Sequence, residues 1–127
     1  MKQKVFRIGL YLMISFYLIG GINHFLNPSF YLPLIPDYFP QKELINYLAG
    51  IFELVFSIGL VFHRFRKLAS YGIILMLIAF IPSHIYFIQI DACVPDGLCT
   101  PVWVAWVRLL IIHPLLILWA WVSGSLD

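Results

Sequence analysis

The sequence predicts an all-α membrane protein: a four-transmembrane-helix bundle with a proline- and aromatic-rich lid between the first and second spans. Three observations predict it. Hydrophobic residues make up 62% of the 127-residue chain and charged residues only 11%, against about 25% charged in an ordinary soluble domain. Four stretches reach the ~20 mostly apolar residues that a bilayer span requires. Lysines and arginines collect on alternate connections, the asymmetry that orients multi-pass proteins. The net charge is +2 and no basic stretch interleaves with aromatics, so no nucleic-acid surface is expected. No repeat, low-complexity segment or linker divides the chain, and residues 1–127 read as one membrane domain.

The first span covers about residues 5–25. Its opening, MKQKVFRIGLYLMISFYLIGG, has the basic start and apolar run of a signal peptide. No small-residue cleavage site follows, and the run continues through Asn23 and His24, so it reads as a retained span. Next comes NPSFYLPLIPDYFPQ, where Pro28, Pro33, Pro36 and Pro40 exclude a regular helix. Phe30, Tyr31, Tyr38 and Phe39 give it the character of an interface-lying segment, expected to fold over one mouth of the bundle. The second span covers about residues 42–62, the third about 68–90 and the fourth about 101–122.

Arg64, Arg66 and Lys67 form the expected connection between the second and third spans. Together with Lys2, Lys4 and Arg7 they fall on one side of the bilayer, against Lys42 on the other. The positive-inside rule then places both termini in the cytoplasm and the lid and the DACVPDGLCT loop outside, in a plasma (inner) membrane.

Polar residues inside a span need partners that lipid does not offer. Arg108 is the sharpest case. At a bilayer centre a guanidinium costs about 2.5–3.5 kcal/mol even on a lenient scale, and it does not deprotonate. Glu53 lies near the middle of the second span, on a small and polar stripe with Asn46, Gly50 and Ser57 that lets another helix approach closely. Arg108 enters the fourth span to a depth of roughly 10 Å at 1.5 Å per residue, and Glu53 lies a few ångströms deeper. As the opposite charges within the expected core, the two are expected to pair, directly or through water. Such a pair could fix helix register or form the charged wall of a buried ligand or proton site, and the two roles are compatible.

Three histidines extend the pattern. His24 closes the first span beneath the lid, His84 lies in IPSHIYF of the third, and His113 lies deeper in the fourth, before Pro114. With Asn23, Glu53 and Arg108 they are expected to form one polar pocket in the outer half of the bundle. Pro82 and Pro114 predict local kinks, with the carbonyls of Ile78 and Leu110 left without their helical donors. The histidines fall on different helices with no i, i+4 pair, so no metal site is predicted, and axial haem ligation is less well supported than a metal-free pocket. His63 reads as an interface residue. Cys93 and Cys99 sit in the outward loop, where a disulfide can form. It would be either a structural staple or a thiol–disulfide pair exchanging electrons with the pocket, although C-x5-C is not the C-x-x-C redox motif.

Taken together, GINHFLNPSFYLPLIPDYFP after the first span, Glu53 in the second, IPSHIYF in the third and WVRLLIIHPLLILWAW in the fourth resemble the DoxX family of small membrane proteins. The resemblance covers nearly the whole chain. It implies a four-helix bundle and an association with quinone-linked or thiol-redox systems. Asn23, His24, Glu53 and Arg108 match the family's polar pattern, whereas Asn and Gln are commoner where this chain has His84 and His113.

The resulting expectation is a redox-associated protein of the lipid bilayer that binds a quinone or similar lipid-soluble small molecule. Asn23, His24, Glu53, His84, Arg108 and His113 would bind it, with Arg108 and His84 on its head-group oxygens. Glu53 and His24, with Cys93 and Cys99, would carry proton and electron chemistry. Whether the chain is itself an enzyme stays open. The alternatives are a non-catalytic anchor or assembly subunit for a partner redox protein, and a small-solute carrier, for which a homodimer could provide alternating access.

Overall fold

The computed structural model describes residues 1–126. Helix α1 (Lys2–Leu26) is followed by a short α2 (Pro28–Tyr31) and a 3-10 turn (Leu32–Leu34), then α3 (Lys42–Val61), α4 (His63–Ala79), α5 (Ile81–Gln89), α6 (Val102–Val107), a π-helical turn (Arg108–Ile112) and α7 (His113–Gly124). Four helical segments are long and apolar enough to cross a membrane: Lys2–Leu26, Lys42–Val61, His63–Gln89 and Val102–Gly124. They form a ring in which α1 packs on α3, α3 on α4, α4 on α7, and α7 back on α1.

The outside of the ring is oily. Leu12, Ile19, Leu75, Leu110 and Trp103 all stand out from the bundle, an arrangement that only a lipid surround satisfies. Inside, Leu10, Met13, Leu60, Ile73, Leu77 and Ala120 fill one half of the core, and Phe87, Ala92, Val94 and Ala105 form a smaller cluster near the loop.

Close packing between α1 and α3 depends on glycine. A Cβ on Gly21 would lie 2.8 Å from Leu54 Cγ and 3.0 Å from the Gly50 carbonyl, and one on Gly50 would lie 2.7 Å from His24 Cβ. Small residues at this crossing bring the two backbones together, and so set the residues of α3 directly against His24.

Three details differ from the sequence reading. The connection between the second and third spans is a single residue, Phe62, with extended backbone (φ −89°, ψ 118°). Arg64, Arg66 and Lys67 therefore belong to the first turns of α4 and not to a loop. Arg66 turns back and is buried, with Nε donating to the Leu60 carbonyl at 2.9 Å and Nη2 to the Val61 carbonyl at 3.3 Å. These are orphan acceptors at the end of α3, where a cation is favoured.

The third span breaks at Phe80, two residues before Pro82, because proline lacks the N–H that would continue the ladder. The expected kink before Pro114 takes the form of the π-turn, in which the His113 N–H reaches back to the Arg108 carbonyl.

The lid holds as predicted in outline. Pro28 opens α2 at a position where its missing N–H costs nothing. At the far end of the lid Asp37 accepts a hydrogen bond from the Tyr86 hydroxyl at 2.9 Å and pairs with Lys42. Lys42, and then Tyr86, hold the Asp37 carboxyl below the usual carboxylate range. Beyond α5, Cys93 and Cys99 are joined as a disulfide and face each other across an antiparallel bridge.

Candidate functional site

The buried stripe on α3 is the one the spacing predicts: Asn46, Gly50, Glu53 and Ser57 all face inward. Glu53 pairs with His24. Oε2 lies 3.1 Å from His24 Nε2, and both residues are only 7% exposed. Gly20 leaves room for the carboxylate, since a Cβ there would stand 3.5 Å from Oε2. The approach is close, though not aligned as a hydrogen bond, and Oε2 has no other partner among the described residues.

Asn46 fixes the protonation of the imidazole. Its Nδ2 donates to the His24 backbone carbonyl at 3.0 Å, which turns its Oδ1 toward His24 Nδ1 at 2.6 Å. A carbonyl oxygen only accepts, so Nδ1 carries a proton. A bare Nε2 would then set its lone pair against those of the carboxylate. A further proton on either the imidazole or the carboxyl relieves that repulsion. In both states the pair is neutral as a unit, which is how a titratable pair can persist in an apolar interior.

The lid covers this pair. The Tyr31 ring stacks on His24 with centroids 3.8 Å apart and planes 20° from parallel. Its hydroxyl accepts from Asn23 Nδ2 at 2.7 Å, and Asn23 Oδ1 in turn accepts from Asn27 Nδ2 at 2.6 Å. On the inner side, Tyr17 lies within electrostatic range of Glu53, and its buried hydroxyl has no partner among the described residues. Asn23, His24 and Glu53 are thus brought together as expected. Asn46, Tyr31 and Tyr17 complete the group and had not been singled out as binding residues. The signals for them were weak: Asn46 lay on the small-polar stripe, Tyr31 read as an interface aromatic, and Tyr17 sits two turns before His24 on the same face of α1.

Arg108 does not pair with Glu53. Similar depth in the bilayer is not adjacency: α3 packs chiefly on α1 and α4, whereas the Arg108 segment packs on α5 and α7. Arg108 instead lies over the Phe87 ring, 5.6 Å from its centroid. His84 is within electrostatic range of both Arg108 and His113. The His84 and His113 rings meet edge to face at 4.7 Å. His113 Nε2 donates to the Leu77 carbonyl, which also accepts the Phe80 backbone N–H at 3.2 Å where the third span breaks.

The single expected pocket is therefore two centres, one around His24–Glu53 and one around Arg108, His84 and His113. Two surface depressions of about 510 and 520 Å³ lie elsewhere, one at Leu32 and residues 41–44 beside the lid, the other in an apolar groove between α4 and α7. Neither is lined by His24 or Glu53. Among the described residues, no group of three or more His, Cys, Asp or Glu is placed to hold a metal ion.

The ring of four apolar helices with polar groups turned inward defines a multi-pass helical membrane protein. The chain belongs to the family described as a domain of unknown function, DUF8561, which matches residues 13–123. No curated protein and no solved structure matches it.

Proposed function

We propose that this chain is a redox-associated membrane protein, similar in kind to the DoxX proteins, that binds a quinone or another flat, lipid-soluble molecule near the lid. The observation that carries the reading is the His24–Glu53 pair: buried, 3.1 Å apart, and covered by a single aromatic ring. Reducing a quinone to a quinol takes two electrons and two protons. In a bilayer core without water those protons must come from protein groups within reach of the ring oxygens. A proton held between His24 and Glu53 can pass to a ring oxygen brought against the pair. On the inner side the buried Tyr17 hydroxyl, without a partner among the described residues, offers a further donor.

The electrons would come from Cys93 and Cys99 in their dithiol form, whose oxidation to the disulfide releases two electrons and two protons, or from a partner redox protein. The orientation belongs to this reading: both termini cytoplasmic, with the lid and the disulfide loop on the outer face of a plasma (inner) membrane.

The test is to reduce the purified protein in detergent, add a short-chain quinone, and follow both thiols by alkylation and intact mass. Quinone-dependent closure of the disulfide, lost in Glu53→Gln, supports a thiol:quinone protein. Thiols that ignore the quinone leave the disulfide a staple and remove the dithiol step.

A second reading is favoured by the placement of the depressions away from His24 and Glu53. In it the chain is a non-catalytic anchor whose lid and loop dock a partner. Capture of a soluble redox enzyme with no quinone retained would select that reading.

A further inference from the structure

The Arg108 centre is electrostatically incomplete. Among the described residues no carboxylate lies within ion-pair distance of Arg108 and no hydrogen bond engages its guanidinium. Glu53, the carboxylate that could have served, is taken by His24. The Arg108 Cζ lies over the Phe87 ring, 5.6 Å from its centroid, a cation–π contact that uses none of the guanidinium's N–H donors. Those donors form a planar fork that matches the two oxygens of a carboxylate or phosphodiester.

His84 is also unengaged. Neither ring nitrogen has a hydrogen-bond partner among the described residues, while the His113 ring, itself committed to the Leu77 carbonyl, holds it edge-on. Arg108 and His84 are each only partly buried, so both can be reached from outside the bundle. Just past Arg108 the chain runs in a π-turn, a local widening of the helix that recurs at functional sites. The next residues, Leu110, Ile111 and Ile112, face outward and are strongly apolar. A guanidinium at this depth, with nothing anionic beside it, meets an apolar surface suited to an acyl chain.

We propose that Arg108 and His84 form a binding site for the oxyanionic head of an acidic amphiphile that reaches it from the bilayer. The group held is a carboxylate, as in a free fatty acid, or a phosphodiester, as in an anionic phospholipid. Arg108 grips two oxygens of the head, His84 donates to one of them, and the acyl chain lies along Leu110 and its neighbours. This site is separate from the His24–Glu53 centre and does not depend on quinone binding.

The experiment uses the full chain in a non-ionic maltoside detergent, probed separately with oleate and with phosphatidylglycerol by native mass spectrometry. Retention of at least one probe is expected. Its affinity should fall roughly tenfold in Arg108→Gln, the scale of a lost charge-assisted hydrogen-bonded contact. Arg108→Lys should recover part of that loss, and His84→Gln should show a smaller one. Loss confined to oleate assigns the carboxylate, loss confined to phosphatidylglycerol assigns the phosphodiester, and loss of both assigns the shared chemistry. If Arg108→Gln does not fold, His84→Gln and Arg108→Lys carry the same comparison. Failure of the unaltered protein to retain either probe would overturn the proposal, as would variants that bind as tightly as it does.

Discussion

The two polar centres of this bundle solve the same problem in opposite ways. Around α1 and α3, an acid and a base meet, Asn46 engages the other imidazole nitrogen and the Tyr31 ring stacks over the histidine. Around Arg108, His84 and His113, basic groups gather with no carboxylate paired to them among the described residues. A closed pair can be buried because it is neutral. An open cation cannot, unless something outside the chain completes it. The contrast separates a centre suited to moving a proton from one suited to holding an anion.

Several changes would break or sharpen that contrast. The largest effect is expected from Glu53→Ala, which leaves the His24 imidazole buried with no acid beside it. Breaking a buried pair in this way costs about 3–5 kcal/mol. Glu53→Gln keeps a group that can donate to Nε2, so it should cost far less. The check is unfolding of both variants in mixed maltoside–dodecyl sulfate micelles, and equal losses would mean that the carboxylate is not what His24 requires.

Next in size is Gly50→Ala. The added methyl would stand 2.7 Å from His24 Cβ, too close without movement of α1 against α3, so a cost of about 1–3 kcal/mol is expected from overpacking. The same unfolding assay reads it.

On the open side the expectation reverses. Arg108→Gln breaks no protein–protein pair, so in detergent without acidic lipid its stability should stay within about 0.5 kcal/mol of the unaltered protein. A large loss would reveal a partner on another element.

The smallest effect lies at the lid. Lys42 and Tyr86 hold Asp37 below the usual carboxylate range, so the stabilising contact is present above the unfolded-state value and is lost as pH falls through the lowered one. Tyr31 quenching or hydrogen exchange in residues 32–40 should therefore be steady near neutrality and rise only below the ordinary carboxylate range. In Asp37→Asn that acid-dependent rise should be absent.

The sequence made the spans legible because length and hydropathy are enough to define them. The observed segments, Lys2–Leu26, Lys42–Val61, His63–Gln89 and Val102–Gly124, lie within a few residues of the expected ones. The third departs most. Arg66 looked like a loop residue because a charge argues against membrane, yet it is consumed by carbonyls at the end of α3. The inward stripe on α3 was readable from spacing.

Partner choice was not readable. Glu53 and Arg108 matched in depth and in charge, but which helices touch is decided by where backbones can approach. Gly20, Gly21 and Gly50 settle that in favour of His24. Asn46 and Tyr31 were missed as site residues because an amide on a helix stripe and an aromatic in a lid each have ordinary structural roles. Only their placement around one imidazole gives them another.

The most direct test of the division into a closed and an open centre is a pair of double-mutant cycles on unfolding free energy, one with His24→Ala and Glu53→Ala, the other with Arg108→Gln and Glu53→Ala. The account predicts a coupling of about 1–3 kcal/mol for the first pair and one within about 0.5 kcal/mol of zero for the second. Strong coupling between Arg108 and Glu53, with none between His24 and Glu53, would contradict it.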